Sequence, residues 1–545
     1  MDMKYWSLRE YEPRPEQVKI IDDVVKAWDK GYQNVIIEAG TGVGKSAIAT
    51  TLANMVNTSY ICTMTNQLQG QYLDDFGYML HEIKGKNNYT CLLTDKTCSD
   101  CLVDEVNDKN SNCNYSKIEV LNMQGNCDDA EALEFFELDD EEYQVRKCTY
   151  CPYRKAYYKA RDGRTVITNY DYLWFAGNYT NQWRTRDLLI LDETHNFEKK
   201  MMSLIQKTLN RATVKKNYGF DIFYPVTQGE SLESIKTPSY WQGVADKIID
   251  YLKANKRVIS TKKRKYQMDN MKELKKNLEN EDWVIDLPTK KDILSNARGL
   301  KAEFKPLMVN EYTDKLFHFG EKRLFLTGTL GSKQRFCHWN GLDQDSTYYI
   351  YVKSPFPVEH RPIKKTFVGN MSGFNNGKPN WQTPKAIDKI KEIIRHHAGE
   401  KGVIHTSSNQ QAWWIKKSLN SKNIWVAQGE SREDTIRRFE SWNKPVVLVG
   451  AGIKDGVDFK GDKCRFQIIF KMPKPSIGST QVVIRAKKDP TWYAYQTIMP
   501  TMQSYGRGIR DMDDWCTTYV LDSEFNTLLA DYRELFNEYF LEAIE

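Results

Sequence analysis

Nine consecutive residues, Glu38-Ala39-Gly40-Thr41-Gly42-Val43-Gly44-Lys45-Ser46, carry the sharpest chemistry in the chain. Glycines at 40, 42 and 44 let backbone N–H groups turn inward around an anion. Lys45 is placed to reach the β- and γ-phosphates of a nucleoside triphosphate, and the Ser46 hydroxyl to ligate Mg²⁺. The usual first glycine of such a loop is Ala39 here, a small substitute. A second group, Asp192-Glu193-Thr194-His195, ends the apolar run Leu188-Leu189-Ile190-Leu191. An aspartate there can hold Mg²⁺ through water, and the following glutamate can polarise an attacking water. His195 can couple the pair to other motifs. A third group is Gln503-Ser504-Tyr505-Gly506-Arg507-Gly508-Ile509-Arg510. Two arginines three apart share one face if they lie on a helix, and can clamp a γ-phosphate from another domain. Gln17, ahead of the loop, offers a two-sided amide suited to reading adenine.

Cysteines form a separate constellation. Seven of the 11 (Cys91, Cys98, Cys101, Cys113, Cys127, Cys148 and Cys151) fall in one stretch. Cys98/Cys101 and Cys148/Cys151 are C-x2-C pairs, a spacing at which two thiolates grip one metal or one cluster edge. Outside an oxidising compartment this density points to a metal site, and spacing alone leaves zinc and an iron–sulfur cluster open. Between the pairs, residues 128–142 hold nine acidic and no basic residues. That run reads as a solvated loop that repels nucleic acid.

The elements that must position these groups alternate between strand and helix. Val35-Ile36-Ile37 reads as a buried strand into the phosphate loop, and Ala47–Ala53 as the helix leaving it. An amphipathic helix opens at Arg14-Pro15-Glu16-Gln17, with Val18, Ile21, Val25 and Trp28 as its apolar face. Residues 60–65 read as a strand, 165–173 as a strand leading into a turn, and Arg323–Leu330 as a strand with a small polar turn. Residues 200–315 lack glycine punctuation and read as mostly helical; 256–265, KRVISTKKRK, are basic. Strands recur at 403–408, 444–450 and 466–470, with Gly456-Val457-Asp458-Phe459 in a loop before the last. This is an open α/β pattern in two halves.

Composition is permissive. The chain has 545 residues, 40% hydrophobic and 28% charged, enough for several soluble domains. A net charge of +6 does not by itself demand a nucleic-acid partner. No apolar run reaches the 18 or so residues of a membrane span, and the first residues lack the apolar core of a secretory signal. The expectation is a soluble intracellular protein, of cytoplasm or nucleoid.

Taken in order, RPEQ, EAGTGVGKS, TMTNQLQGQ, DETH, LTGTL, the GVD segment and QSYGRGIR resemble the motif series of a superfamily 2 helicase. KGKNNYTC, a cysteine stretch closed by CPY, and TVITNYDYL before DETH resemble the XPD/DinG family of iron–sulfur DNA helicases, as do SPFP and VLDSEF. The resemblance spans nearly the whole chain. It departs from the family in DETH for DEAH and in Asp455 where glutamate is usual.

The resemblance implies two RecA-like P-loop NTPase domains with ATP between them. An iron–sulfur domain and a mostly helical arch would be inserted in the first. The implied division is residues 1–85, 161–205 and 311–340 for the first RecA-like domain, 86–160 for the cluster domain, 206–310 for the arch and 341–545 for the second RecA-like domain. It implies that Ala39, Gly40, Thr41, Gly42, Val43, Gly44, Lys45 and Ser46 cradle ATP and Mg²⁺, with Gln17 and Asp458 also on the nucleotide side. Asp192 and Glu193 would serve metal and water, Thr327 and Thr329 coupling, and Gly456 and Asp458 the link between ATP and DNA. His195, Gln503, Arg507 and Arg510 would complete the catalytic set. Four cysteines would hold a cluster, 4Fe-4S in preference to zinc. Cys91 matches the family's opening ligand and Cys151 the closing one, Cys148 pairs with Cys151, and Cys127 is favoured as the fourth over Cys98, Cys101 and Cys113. The implied activity is ATP-driven 5′→3′ movement on single-stranded DNA, with forked or tailed duplex as substrate. The alternatives are a translocase that displaces RNA or proteins without unwinding, and a silent DNA-binding scaffold. Tyr115, Tyr150, Tyr153, Tyr157 and Trp174 are aromatic candidates for stacking on the strand.

Overall fold

The structure, a computed structural model, describes residues 6–8, 11–40, 42–90, 97, 133–138, 141–146, 152–180, 183–255, 261–375, 377–453, 459, 461–509 and 512–545. Thr41, Asp455, Gly456, Asp458, Arg510, Tyr115, Tyr150 and the seven clustered cysteines lie outside the described residues.

Two parallel sheets organise the chain. The first has seven strands in the order Thr347–Val352, Asn34–Ala39, Gly320–Thr327, Arg186–Leu191, Ser59–Thr63, Thr165–Asn169, His81–Glu82. Every neighbouring pair is parallel. Asn34–Ala39 is buried at all six positions, the pattern of a strand covered on both faces by helices. Its β-branched run Val35-Ile36-Ile37 suits that environment. The helix Lys45–Met55 lays Ile48, Ala49, Leu52 and Ala53 on the sheet. The strand from LTGTL therefore sits between the strand that enters the phosphate loop and the strand that ends in DETH. One edge of the sheet thus carries all three motifs side by side.

The second sheet has six strands, Ile363–Gly369, Thr517–Asp522, Phe466–Ile469, Gly402–Thr406, Val447–Ala451 and Ile424–Val426, again all parallel. The two sheets are the two RecA-like domains. The expected division at residue 340 falls ahead of Thr347–Val352, which pairs with Asn34–Ala39 in the first sheet. The chain crosses between the sheets in residues 353–362, which contain SPFP.

The stretch expected to be mostly helical contains the helices Arg211–Tyr218, Pro238–Ala254 and Thr261–Asn277. It also holds a three-stranded antiparallel sheet, Lys207–Asn210, Lys301–Pro306 and Trp283–Asp286. Lys301 pairs with Asn210 and Phe304 with Lys207, so the two ends of the insertion are zipped together. These strands are short and alternate polar with apolar residues, a weak signal among helical segments. Another difference follows 165–169. That strand leads directly into the helix Tyr170–Thr180 where a turn was expected.

The four remaining cysteines, Cys62, Cys337, Cys464 and Cys516, are buried free thiols. Among the described residues no helix is long and apolar enough to cross a membrane.

Candidate nucleotide site

The phosphate loop is shaped by close approach. Gly42 and Gly44 adopt φ of +89° and +81°, in the left-handed region that disfavours a Cβ. Gly44 also N-caps the helix Lys45–Met55, so the loop ends at a positive dipole end. A Cβ on Gly40 would lie 2.8 Å from the Ser354 amide nitrogen, and one on Gly42 would run into the Phe356 ring. The crossing segment therefore packs directly on the loop. Gly40 N–H donates to Val352 C=O at 3.1 Å, and Lys45 Nζ donates to Ala39 C=O at 3.1 Å.

Gln17 takes a different part from the adenine reading expected of it. Its Oε1 accepts from Arg14 N–H at 2.9 Å and its Nε2 donates to Val43 C=O at 3.0 Å, so both ends of the amide are engaged. The Arg14 guanidinium donates to Gly42 C=O. The first turn of the helix Pro15–Asp29 thus braces the loop. Its buried face is Gln17, Ile20, Ile21, Val24 and Ala27, which turns the expected Val18 and Val25 toward half-exposure.

Asp192 is held on three sides. Its Oδ2 accepts from Tyr72 Oη–H at 3.0 Å and its Oδ1 from Glu193 N–H at 2.8 Å. Its own N–H donates to Cys62 C=O at 2.9 Å. Burial, and then the Glu193 carboxylate beside it, push its carboxyl up to about 7, against the pull of Lys45. A buried carboxylate of this kind gains most from a cation. Glu193 sits at φ 54°, a backbone strain that only a fixed surrounding sustains. Its Oε2 lies 3.2 Å from His195 Nδ1, which is also 3.3 Å from Thr327 Oγ1. Asn196 Nδ2 donates to His195 Nε2 at 2.7 Å, which leaves the Nδ1 proton to face Glu193. Thr327 Oγ1 in turn donates to Thr329 C=O at 2.7 Å. The histidine thus ties DETH to LTGTL across adjacent strands.

The opposite wall comes from the second sheet's side. Helix Pro490–Tyr505 carries Gln503 in its last turn, and Gly506 is its C-cap. Arg507 follows the helix end, so the expected shared helical face with Arg510 does not extend to it. Together the walls enclose a cavity of about 620 Å³, lined by Gly40, Gly42, Gly44, Lys45, Ser46, Asp192, Glu193 and His195 on one side and Gln503 and Arg507 on the other. Among the described residues, buried Gln503 Nε2 has no hydrogen-bond partner, a donor left for something in the cavity.

Several lining residues carried no sequence signal. Tyr72, on the helix Asn66–Phe76, aligns Asp192. Asn537, Tyr539 and Phe540 bring the end of the chain into the cavity wall. Asn537 Nδ2 donates to Glu38 Oε1 at 3.2 Å, and Tyr349 Oη–H to Glu38 Oε2 at 2.8 Å. Burial raises the Glu38 carboxyl above the usual range. Arg361 is 1% exposed and joins the lining residues Tyr505 and Tyr539 to Phe356 of the crossing segment. Its Nε donates to Phe356 C=O at 3.2 Å and its Nη1 to Tyr505 Oη at 2.9 Å and to Tyr539 C=O, while Nη2 pairs with Glu542. Its guanidinium lies 3.5 Å from the Tyr539 ring centroid.

Sequence comparisons agree with this geometry. Residues 10–217 match the family described as type III restriction enzyme, res subunit, and residues 390–542 match the helicase C-terminal domain. The chain is an ATP-dependent helicase with the XPD fold. This helicase is 21% identical to a probable ATP-dependent helicase of Methanocaldococcus jannaschii, over 91% of this chain and 89% of the relative. A solved XPD helicase superposes with a TM-score of 0.59 at 14% identity, covering 96% of this helicase and 98% of that chain. Xpd4 of S. tokodaii gives 0.55 at 12%, covering 98% and 99%. The matched families make the helicase an ATP-hydrolysing enzyme.

Among the described residues no group of three or more His, Cys, Asp or Glu side chains is assembled as a metal site. Of the aromatic stacking candidates, Trp174 is buried and Tyr153 and Tyr157 are half-buried in a ring cluster with Tyr89 and Trp183.

Proposed function

We propose that this helicase moves 5′→3′ on single-stranded DNA, coupling ATP hydrolysis between its two RecA-like domains to separation of forked or tailed duplex. The observation that carries the reading is one cavity lined by Lys45 and Ser46, by Asp192 and Glu193, and from the other domain by Gln503 and Arg507. Magnesium-bound ATP, when present, supplies the phosphoanhydride bond whose cleavage drives the cycle. The residues fit it. The loop offers backbone donors at a helix N-terminus, Asp192 is a buried carboxylate drawn on by Lys45, and Gln503 keeps a donor without a partner among the described residues.

In this reading Lys45 holds the β- and γ-phosphate oxygens. Ser46 and Asp192 hold Mg²⁺, with Tyr72 fixing the Asp192 carboxylate in place. Glu193 orients and polarises the attacking water, and His195 keeps the Glu193 carboxylate turned toward it. Arg507, with Arg510, offsets the negative charge of the transition state, and Gln503 reports the γ-phosphate to the second domain. Because those groups come from two domains, loss of the γ-phosphate weakens their attachment and lets the domains part. DETH and LTGTL move together through His195 and Thr327.

Cys91, Cys127, Cys148 and Cys151 are proposed to hold a 4Fe-4S cluster that stiffens the domain splitting the duplex. Strand displacement on 5′-tailed and 3′-tailed duplexes, with Lys45→Ala as control, tests the reading. It predicts ATP-dependent unwinding of the 5′-tailed substrate alone. Unwinding by Lys45→Ala, or of the 3′-tailed substrate instead, would contradict it. Iron and sulfide analysis of anaerobically purified protein tests the cluster.

A further inference from the structure

Helix Tyr170–Thr180 runs from the first sheet with two unlike faces. Tyr170, Leu173 and Trp174 are buried in the core, whereas Phe175 and Tyr179, four residues apart, are 43% and 46% exposed. Their rings stack at 6.3 Å with an interplanar angle of 18°. Tyr266, on the helix Thr261–Asn277 of the insertion, is 45% exposed and meets Tyr179 edge-on at 5.5 Å. Single exposed rings are ordinary on a protein surface. Here Tyr179 touches both Phe175 and Tyr266, so three half-exposed rings from two separate elements lie in one row.

The setting of the patch is basic. Helix Thr261–Asn277 reads TKKRKYQMDNMKELKKN, with Arg264, Lys265, Lys272, Lys275 and Lys276 against Asp269 and Glu273. Glu273 is itself shared by Lys207 Nζ at 2.6 Å and Lys315 Nζ at 3.0 Å, two cations on one carboxylate. Lys275 pairs with Asp246 and Lys272 with Asp269, which still leaves a positive balance. Exposed π-faces beside surplus positive charge suit a polymer with flat bases and a phosphate backbone.

We propose that Phe175, Tyr179 and Tyr266 form a stacking track for the bases of a single DNA strand, whose phosphates follow the basic helix Thr261–Asn277. The proposal rests on the DNA reading of the proposed function. It places the strand across the junction of the first RecA-like domain and the insertion, so any movement between the two shifts bases along the rings. Stacking contacts of this kind tolerate any base, as a helicase track requires.

Fluorescence anisotropy of a labelled single strand, titrated with full-length protein at several salt concentrations, tests it. Tyr179→Ala should weaken binding roughly tenfold, while Tyr179→Phe, which keeps the ring, should bind within about twofold of wild type. The triple alanine variant should lose more, with basal ATP hydrolysis and melting temperature unchanged. Its salt dependence should keep the wild-type slope, whereas Lys265→Ala should lower the slope by about one. Undiminished binding by the triple variant overturns the track and leaves the DNA reading standing. Failure of the wild type to bind single-stranded DNA overturns both. Ring-dependent binding of a single RNA strand but not of DNA overturns the choice of DNA.

Discussion

The two walls of the nucleotide cavity are built by different means. On the first wall, loop, DETH and LTGTL occupy one sheet edge, and each reactive group is held by a near neighbour: Lys45 by Ala39, Asp192 by Tyr72 and Glu193, and His195 by Asn196 and Thr327. On the second wall, Gln503 and Arg507 project from a helix end positioned from behind. Gln467 Nε2 donates to Tyr505 C=O at 2.9 Å, and the buried Arg361 guanidinium fixes the Tyr505 hydroxyl. The first wall is therefore preorganised within one domain, by hydrogen bonds between neighbours on adjacent strands. The second takes its position from packing behind a helix end, in the other domain.

The contrast breaks most visibly in turnover. Arg507→Ala should lower the hydrolysis rate by roughly 10³-fold or more with nucleotide affinity little changed, since the arginine acts on transition-state charge. Glu193→Gln should cost roughly 10²–10⁴-fold, again with binding kept. Lys45→Ala should lose binding as well. Single-turnover hydrolysis beside equilibrium nucleotide binding separates the three.

Arg361 is the next lever, because it ties Tyr505 and Tyr539 of the cavity lining to Phe356, which packs on the loop at Gly42. Arg361→Met should destabilise the protein by roughly 2–4 kcal/mol in denaturant unfolding, as buried carbonyls lose a charged donor and Glu542 loses its partner. The same variant should raise KM for ATP through Phe356 and Gly42.

A third test lies at the contact between the helix that follows DETH and the helix that carries Gln503. Glu198 Oε2 accepts from Trp492 Nε1 at 2.9 Å and from Gln496 Nε2 at 3.4 Å, and Oε1 lies 3.6 Å from Arg485 Nη2. Among the described residues neither Oε1 nor Nη2 has a hydrogen-bond partner. At that separation the attraction does not offset desolvation. Burial raises the Glu198 carboxyl to about 7 and lowers Arg485 below the ordinary arginine range. Asp489 adds to the rise. The fold thus holds this proton more tightly than the unfolded chain does. The stability it contributes is full below the unfolded value near 4.5 and is lost as pH rises through about 7. Glu198→Gln should flatten melting temperature against pH across that window, on the order of 2–3 kcal/mol between its ends. An unaltered slope would show that the carboxylate is already ionised. Smallest of all, Tyr72→Phe should cost about 1 kcal/mol at Asp192, a several-fold weakening of Mg²⁺ use read from the metal dependence of hydrolysis.

What could be read beforehand divides along the same line as the walls. Loop, DETH and LTGTL are contiguous residues whose backbone conformation follows from their types, so Gly42, Gly44 and Lys45 stand as their spacing implies. The order that sets the LTGTL strand between the other two is a tertiary fact absent from any local pattern. Arg361 reaches Tyr505 and Tyr539 across more than a hundred residues, and nothing near it in sequence marks it. The first helix's periodicity was legible but its phase was not. Gln17 turns inward because the loop offers its amide partners, a reason that a hydrophobic pattern does not contain. Phe175 and Tyr179 show the same effect in reverse: Trp174, one step along the helix, takes the core position that apolar size alone would assign to any of them.

The claim that one ATP site needs both walls is tested most directly by hydrolysis with and without single-stranded DNA in wild type, Glu193→Gln and Arg507→Ala, each with its nucleotide affinity measured. The account predicts DNA-stimulated hydrolysis by wild type, and variants that bind ATP normally yet turn over at a small fraction of that rate. Full turnover by Arg507→Ala would contradict it, because the second domain would then contribute nothing to the chemistry.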